Sequence, residues 1–305
     1  MTSSTTNTPA TPTFAIGGEY RVARLGFGAM RLPTKPGPER QAAVAVARRA
    51  VELGVTLIDT AHMYGWGANE ELLAEALHPY PDDLLITTKV GITRSGPDGW
   101  AHDARPESLR EQVERGLRRL RVDRVGLLQL HRIDPGVPLA DQVGALRELQ
   151  LEGKVGHIGL SEITSEQLAE ARQTADIASV QNRYNLLDRD HEPVLEACEA
   201  AGIAFLPWRP VATATDSGRA ADSGRAEGSG PLAGSGPAAV LATVAAELGA
   251  TVPQVALAWL LARSPVVLPI PGTGSLAHLE ENLAAGDLRL TGAQRQRLDG
   301  KALSA

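Results

Sequence analysis

Four side chains that together could deliver a proton to a substrate follow short apolar segments of the chain. Asp59, Lys89 and His131 each end such a segment, and Tyr64 comes five residues after Asp59. A carboxylate can hold a lysine ammonium in place, and the ammonium can stabilise the phenolate that a tyrosine becomes when it releases its proton. An imidazole can hydrogen-bond the substrate oxygen or the phenol. These residue types predict a site that delivers a proton to a bound substrate.

Tyr64 can act in this way only if its acidity suits the task. A free tyrosine has a pKa near ~10, and an ammonium about 4 Å from the phenolate stabilises it by roughly 4 kcal/mol at an effective dielectric of about 20. Burial of the phenol acts in the opposite direction, and Asp59 cancels part of the field of Lys89. We expect the pKa of Tyr64 to be lowered on balance.

The segments that carry these residues belong to a repeating pattern of strands and helices. Apolar runs that end in a polar residue are typical of buried parallel strands, and strands that alternate with helices indicate a parallel sheet. A doubly wound sheet would also alternate, but Gly26-x-Gly28 lacks the third glycine and the helix of a dinucleotide-binding loop. The predicted strands lie near 25–30, 55–59, 84–89, 125–131, 155–160, 177–181, 203–207 and 266–270. The predicted helices lie near 39–53, 68–78, 106–121, 138–152, 164–175, 190–201, 252–263 and 275–285.

This pattern predicts an α/β fold in which residues 13–305 form a single (β/α)8 TIM barrel domain. Such barrels carry their sites at the C-terminal ends of the strands, where all four residues above would meet. A short β-hairpin is expected at 14–24, with Gly17-Gly18 as a two-residue turn. Residues 1–12 read as a disordered N-terminal tail. The Gly- and Ser-rich stretch 212–239 reads as a long flexible loop after the seventh strand, either a tolerated insertion or a flap over a bound cofactor.

The composition gives little reason to expect a macromolecular partner. A net charge of -6 over 305 residues does not favour nucleic acid or an anionic membrane surface, and no apolar run approaches the ~20 residues that span a bilayer. The single cysteine, Cys198, fits a helical pattern and a packing role. We expect a cytoplasmic protein, monomeric or weakly homo-oligomeric.

Taken with their neighbouring sequences, these residues resemble the aldo-keto reductase superfamily over about residues 20–300. The order of the motifs is more specific than any one of them, and they lie at 57–65, 87–90, 128–131, 156–161, 180–182, 268–273 and 279–282. Within the superfamily, segments 62–65, 76–80, 254–261 and 270–273 most resemble bacterial pyridoxal-reductase-like members.

The resemblance implies an NAD(P)H-dependent oxidoreductase that reduces a small aldehyde or ketone, with pyridoxal-like aldehydes as candidates. Tyr64 would be the general acid, with Asp59, Lys89 and His131 completing a catalytic tetrad. Four further residues are expected either to line the substrate pocket or to be structural, and they are His62, Trp66, Trp100 and Arg132.

The resemblance also implies a cofactor site at the later strand ends. Ser161, Glu162 and Gln181 would contact the nicotinamide carboxamide, and Trp208 would stack on the nicotinamide ring unless it belongs to the core. The remaining expected contacts lie around the last helix, with Gly272, Thr273 and Ser275 at the phosphates, His278 near the 2′-phosphate, and Glu281 and Asn282 at the adenine.

Two alternatives share part of this pattern. A non-catalytic nicotinamide-binding subunit, similar to the redox-sensing β-subunits of potassium channels, would carry the same barrel and tetrad. A metal-dependent barrel hydrolase could use Asp59 and His131 as ligands, but Lys89 between them would repel a cation, and we predict no metal site.

The expected cofactor is NADPH, with tolerance of NADH. Many relatives place Lys or Arg around the 2′-phosphate, whereas Gly272 and His278 stand at those positions here. We therefore predict a weaker preference for NADPH than in relatives that have both cations. Comparison of kcat/KM with the two cofactors tests this, and a preference above ~10³-fold would contradict it.

Overall fold

An antiparallel hairpin begins the part of the chain that our computed structural model describes, which is residues 13–96, 99–211 and 236–300. Strands β1 (Thr13–Ile16) and β2 (Tyr20–Ala23) pair in register, with Ile16 opposite Tyr20. The turn therefore has three residues rather than the predicted two, because Glu19 follows Gly17 and Gly18, the two residues with positive φ, before the second strand begins. The buried side chains of Ile16 and Val22 pack on the apolar residues that begin the barrel strands, so the hairpin covers the N-terminal end of the barrel.

Seven parallel strands form the main sheet, and a second hairpin projects beyond it. The strands of the main sheet are β3 (Phe27–Gly28), β4 (Leu57–Asp59), β5 (Leu85–Val90), β8 (Val125–Leu130), β9 (Val155–Ser161), β10 (Ile177–Gln181) and β11 (Ala204–Phe205). The order across this sheet is β11-β10-β9-β8-β5-β4-β3, so strands of the sheet that are neighbours in space follow one another along the chain. The projecting hairpin consists of β6 (Ile92–Arg94) and β7 (Trp100–His102).

The predicted eighth strand, at 266–270, is an irregular segment that still joins the two edges of the sheet. On one side it exchanges two backbone hydrogen bonds of 2.8 Å with Phe205 of β11. On the other side, the amides of Gly26 and Gly28 donate to the carbonyls of Pro269 and Pro271 at 2.9 and 3.1 Å. Proline has no N–H to donate, so a regular ladder cannot form here. The expectation of a strand was wrong in form, but the segment closes the ring.

Helices pack around the outside of the ring. They are α1 (Pro38–Glu52), α2 (Ala68–Leu77), α3 (Pro106–Leu120), α4 (Leu139–Leu151), α5 (Ser165–Ala171), α6 (Glu192–Ala201), α7 (Pro237–Leu248), α8 (Val252–Arg263), α9 (Leu276–Ala284) and α10 (Gly292–Leu298).

Two of these helices were not predicted from the sequence. The first, α7, begins at Pro237, so the expected loop 212–239 is too long at its end. The rest of that loop, 212–235, lies outside the described residues, as do the expected tail 1–12 and the C-terminal residues 301–305. The second, α10, has a capping box in which Thr291 and Gln294 satisfy each other's backbone amides.

Helix α8 is buried against the barrel and is fixed there by a cation. The guanidinium of Arg24 donates to the backbone carbonyls of Leu261, Ser264 and Val267 at 2.8, 2.5 and 3.1 Å. Within the described ranges, no single helix is long and apolar enough to cross a membrane. Helices α7 and α8 meet that requirement only as a pair, and they are bent by 99° relative to each other.

Candidate active site

A buried ion pair lies at the C-terminal ends of β4 and β5. Lys89 Nζ is 2.6 Å from Asp59 Oδ2, and the two side chains are 0% and 4% exposed. The same ammonium donates to the backbone carbonyl of Thr60 at 2.9 Å. Removing one partner of a buried ion pair typically costs about 3–5 kcal/mol, because the other charge is left without compensation. The two strands thus place the carboxylate and the ammonium within hydrogen-bonding distance, so that each buried charge is compensated by the other.

Two glutamine side chains complete the hydrogen bonds of Asp59. The amide nitrogens of Gln181 and Gln129 donate to Asp59 Oδ1 at 2.9 and 3.3 Å, and Gln129 also donates to Thr87 Oγ1 at 2.9 Å. Both glutamines are buried. This role of Gln129 was not predicted from the sequence, although a polar residue inside the apolar strand β8 is a recognisable signal.

Tyr64 reaches the same ammonium from the loop after β4. Its hydroxyl is 3.4 Å from Lys89 Nζ, and the ammonium lies 5.1 Å from the centre of its ring. The tyrosine begins a tight turn in which Gly65, Trp66 and Gly67 all have positive φ. A left-handed conformation is costly for tryptophan, so the surrounding contacts must fix this turn.

The expected lowering of the Tyr64 pKa is wrong for this arrangement. Burial of the phenol raises its pKa, and this effect outweighs the lowering by the Lys89 ammonium, while the Asp59 carboxylate raises the pKa further. Complete desolvation of the phenol raises the pKa by more than the ammonium lowers it, and the degree of desolvation could not be read from the sequence. Tyr64 therefore holds its proton at neutral pH.

The neighbouring lysine and histidine have opposite charge states. Burial alone would lower the pKa of Lys89, but Asp59 and Tyr64 raise it above its ordinary value, so the amine is charged. The pKa of His131 is held well below its ordinary value by burial and then by the nearby cations Lys89 and Arg132. Its ring meets the ring of Tyr64 edge to face, with the ring centres 6.1 Å apart. The site thus combines a neutral imidazole, a neutral phenol and an ammonium.

A second buried network connects the active-site loop to the outer helices. Arg119 of α3 donates to His62 Nδ1 at 2.9 Å and to Glu70 Oε2 at 2.6 Å. The other oxygen of Glu70 accepts from the hydroxyl of Thr88 at 2.6 Å, and Thr88 directly precedes Lys89. Glu70 and Arg119 occupy ordinary helical positions, so no sequence signal pointed to this network.

The four residues that were expected either to line the substrate pocket or to be structural have different surroundings. His62 and Trp66 meet edge to face with ring centres 6.0 Å apart, and the guanidinium of Arg94 lies 4.9 Å from the Trp66 ring. Trp100 is on β7, in the hairpin that follows β5. Arg132 donates to the carbonyl of His131 at 2.7 Å and to Ser161 Oγ at 3.4 Å.

The expected nicotinamide contacts surround the ends of β9 and β10. Ser161 and Gln181 are each 2% exposed. Glu162 has a positive φ of 56°, and its carboxylate accepts from the amide of Arg183 at 2.7 Å and from the indole N–H of Trp208 at 2.5 Å. The carboxylate therefore fixes the indole, and this hydrogen bond connects two residues for which separate contacts with the nicotinamide were expected.

The expected phosphate and adenine contacts lie around the start of α9. The hydroxyl of Ser275 caps this helix by accepting from the amide of His278 at 3.4 Å. Thr273 is buried, whereas His278 is exposed. The carboxylate of Glu281 accepts from the hydroxyl of Thr251 at 2.6 Å, which ties it to the cap of α8.

Arg31, which the sequence analysis did not single out, also lies beside this loop. A side-chain carbon built on Gly272 would be 3.8 Å from Cγ of Arg31. A basic residue therefore stands close to the expected phosphate contacts, although neither Gly272 nor His278 provides one.

The chain is matched by the model of a known protein family. The model of the aldo/keto reductase family matches residues 24–302, so the chain belongs to that family. It is 41% identical to pyridoxine 4-dehydrogenase of Escherichia coli over 298 residues, which cover 94% of this chain and 97% of that protein.

Solved structures show the same relationship. The glycerol dehydrogenase of Gluconobacter oxydans has a TM-score of 0.83 and 25% identity, covering 95% of both chains. An aldo/keto reductase of Klebsiella pneumoniae, solved with NADP and acetate, has a TM-score of 0.77 and 28% identity, covering 96% of this chain and 97% of that one.

The environment of His62 predicts a pH dependence of stability. Burial, then Arg119 and Arg115, lowers its pKa from 6.5 to about 4. In the unfolded chain His62 therefore binds a proton as the pH falls through 6.5, whereas in the folded protein it does so only near pH 4. The contribution of neutral His62 is complete above the first value and is lost as the pH falls toward the second.

Replacement His62→Asn tests this, because asparagine does not titrate and its side-chain oxygen can still accept from Arg119. Between about pH 7 and pH 4.5 the variant should lose less free energy of unfolding than the wild type, by about 1 kcal/mol after allowance for solvent screening. Urea unfolding at several pH values measures this difference. Parallel pH curves would contradict the prediction.

Proposed function

We propose that the protein reduces an aldehyde or ketone to an alcohol with NADPH, and that Tyr64 donates the proton. The observation that carries this proposal is the position of Lys89 Nζ, 2.6 Å from Asp59 Oδ2 and 3.4 Å from the hydroxyl of Tyr64. One ammonium is thus anchored by a carboxylate and directed at a phenol. Membership of the aldo/keto reductase family supports the same class of reaction.

The proposed chemistry assigns each buried group one task. Bound NADPH would supply a hydride to the carbonyl carbon. Tyr64, neutral because burial raises its pKa, would give its proton to the carbonyl oxygen. The charge of Lys89 would stabilise the phenolate as it forms, which is where a fixed charge accelerates a reaction most. Asp59 acts through Lys89, by keeping the amine charged and in position.

His131 is suited to orient the substrate rather than to supply a proton. Because its pKa lies well below the ordinary value, it is a neutral imidazole at physiological pH. A neutral imidazole has one N–H to donate to the carbonyl oxygen, and it adds no further positive charge beside Lys89. Its ring against Tyr64 would keep the oxygen within reach of the phenol.

The residues at the later strand ends suit a nicotinamide cofactor. The carboxamide needs both an acceptor and a donor, and Ser161 can act as either, while Gln181 still has a carbonyl oxygen after its nitrogen donates to Asp59. At α9, the first backbone amides have no partner within the helix and suit a phosphate. The Klebsiella pneumoniae relative was solved with NADP, which supports the choice of cofactor.

For some of the expected cofactor contacts, the hydrogen bonds in the structure change or limit the proposed role. Glu162 would act mainly by holding Trp208 through the indole hydrogen bond, so that the ring can stack on the nicotinamide. Asn282 remains a proposed adenine contact. The carboxylate of Glu281 already accepts from the hydroxyl of Thr251. Glu281 would contact the adenine either while keeping this hydrogen bond or by exchanging it for one to the cofactor.

We further propose that the substrate is a pyridoxal-like aromatic aldehyde. The E. coli relative is a pyridoxine 4-dehydrogenase, and oxidation of an alcohol at that carbon is the reverse of reduction of the corresponding aldehyde. The aromatic side chains of His62 and Trp66, each two residues from Tyr64 along the chain, contact each other and could pack against a flat ring.

The same proposal covers the organisation of the protein. Residues 13–305 would form one domain that works in the cytoplasm as a monomer or weak homo-oligomer. Cys198 is buried, and burial raises the pKa of its thiol to about 12, so it is an inert packing residue suited to a reducing compartment.

The sensor subunit remains the second candidate function, because it would use the same barrel and tetrad. The two differ in turnover, since a sensor should bind the cofactor and yet barely reduce a test aldehyde. A metal-dependent hydrolase has less support. In the described part of the chain, no group of three or more His, Cys, Asp or Glu residues is placed to hold a metal ion.

Replacement Tyr64→Phe tests the proton donor. The variant should lose roughly 10²–10⁴-fold in kcat with pyridoxal, because the general acid is absent while the ring and its packing remain. The dissociation constant for NADPH, measured by quenching of protein fluorescence, should stay nearly unchanged.

Tyr20→Phe is the matched control, since Tyr20 lies in the hairpin at the other end of the barrel. It should retain the wild-type kcat. Wild-type turnover in the Tyr64 variant would show that the acid is assigned wrongly. No turnover in the unmodified protein with a panel of aldehydes, despite NADPH binding, would favour the sensor.

A further inference from the structure

A cleft on the outer wall of the barrel is lined mainly by arginines. It has a volume of about 570 Å³ and lies where α1, α2 and the end of α3 meet. Two glutamates of α2 face the same space, so the lining carries a formal charge of +3. The five arginines are Arg40, Arg115, Arg118, Arg119 and Arg121.

Three of the arginines are already paired. Arg40 contacts Glu75 at 2.8 Å, Arg115 contacts a glutamate one turn earlier on α3, and Arg119 contacts the buried Glu70 at 2.6 Å. Around Arg118 and Arg121, by contrast, no carboxylate of the described chain forms an ion pair within 4.0 Å, although Arg118 is close enough to help lower the pKa of Glu114, whose carboxylate contacts Lys154 at 2.9 Å. The guanidinium groups of Arg118 and Arg121 are thus not held by an ion pair, whereas the other cations of the cleft are.

Helix electrostatics explain only part of this cluster. A cation in the last turn of a helix is stabilised by the helix dipole, which accounts for Arg118 and Arg119 at the end of α3. Arg121 lies beyond that turn in a left-handed conformation with φ 57°, and Arg40 comes from a different helix. Cations that converge from separate elements repel one another, and Glu71 and Glu75 offset only part of this repulsion, because the lining keeps a formal charge of +3.

The chemistry of the lining selects the ligand. Guanidinium groups are planar forks that match two oxygens of a phosphate, and they are weakly hydrated, so they release water readily on binding. Small-molecule sites usually have volumes of about 300–1,000 Å³, and the cleft falls within this range. It is therefore larger than a single phosphate requires. Arg119 supplies a preorganised wall, because its bonds to Glu70 and His62 fix it.

We propose that this cleft binds a small molecule that carries a phosphate or diphosphate group. Arg118 and Arg121 would bind the phosphoryl oxygens, and Arg119 would form the floor. This inference is independent of the proposed oxidoreductase activity, since none of the three residues belongs to the tetrad or to the expected cofactor contacts.

Calorimetric titration of the full chain, saturated with NADP⁺ and kept at low salt, tests the proposal. Inorganic pyrophosphate and AMP are the two probes, because they distinguish a free diphosphate from a phosphate on an organic group. At least one probe should bind at a single site with a submillimolar dissociation constant. The double variant Arg118→Gln/Arg121→Gln should weaken that binding about tenfold, because two charge-assisted hydrogen-bonding groups are lost.

The matched control is Arg147→Gln/Arg172→Gln, which removes two exposed arginines from the α4–α5 side of the barrel. It changes the net charge equally and should bind within twofold of the wild type. Absence of binding by both probes would overturn the proposal. So would a loss of less than threefold in the cleft variant, or an equal loss in the control. These outcomes do not depend on whether the protein reduces aldehydes.

Discussion

The buried ion pair between Lys89 and Asp59 is the interaction on which the rest of the site depends. Two opposite charges can remain buried only when their geometry is favourable and their other hydrogen-bonding capacity is satisfied. Both conditions require strands β4 and β5 to be neighbours in register, with Gln129 and Gln181 supplied by β8 and β10. Four strands of the barrel thus contribute to the environment of one carboxylate.

This environment also explains the charge states around the pair. Burial opposes every charge at the site, and only Lys89 and Asp59 have a partner that compensates for it. The imidazole of His131 is neutral for this reason, and the same burial raises the pKa of the Tyr64 phenol, which is neutral at physiological pH in any case. We infer that the site is built to meet a negative charge that forms only during the reaction, on the oxygen of Tyr64.

The sequence predicted the helices and strands that position the site better than it predicted the contacts between them. A carboxylate, an ammonium and an imidazole after apolar runs were enough to place Asp59, Lys89 and His131 at one end of a barrel. The irregular closing segment was mispredicted because apolar residues around Pro269 resemble a strand. The pKa of Tyr64 was mispredicted because the degree of burial depends on the whole fold. Long-range pairs such as Arg119 with His62 have no local sequence signal at all.

The central claim is that the ammonium of Lys89 stabilises the phenolate of Tyr64 while hydride is transferred. The most direct measurement is the single-turnover rate of NADPH oxidation by Lys89→Met, which keeps a long side chain without its charge. The rate constant should fall by at least about 10³-fold, with the dissociation constant for NADPH changed by no more than about threefold. A folded variant whose hydride-transfer rate stays within about tenfold of the wild type would contradict the account.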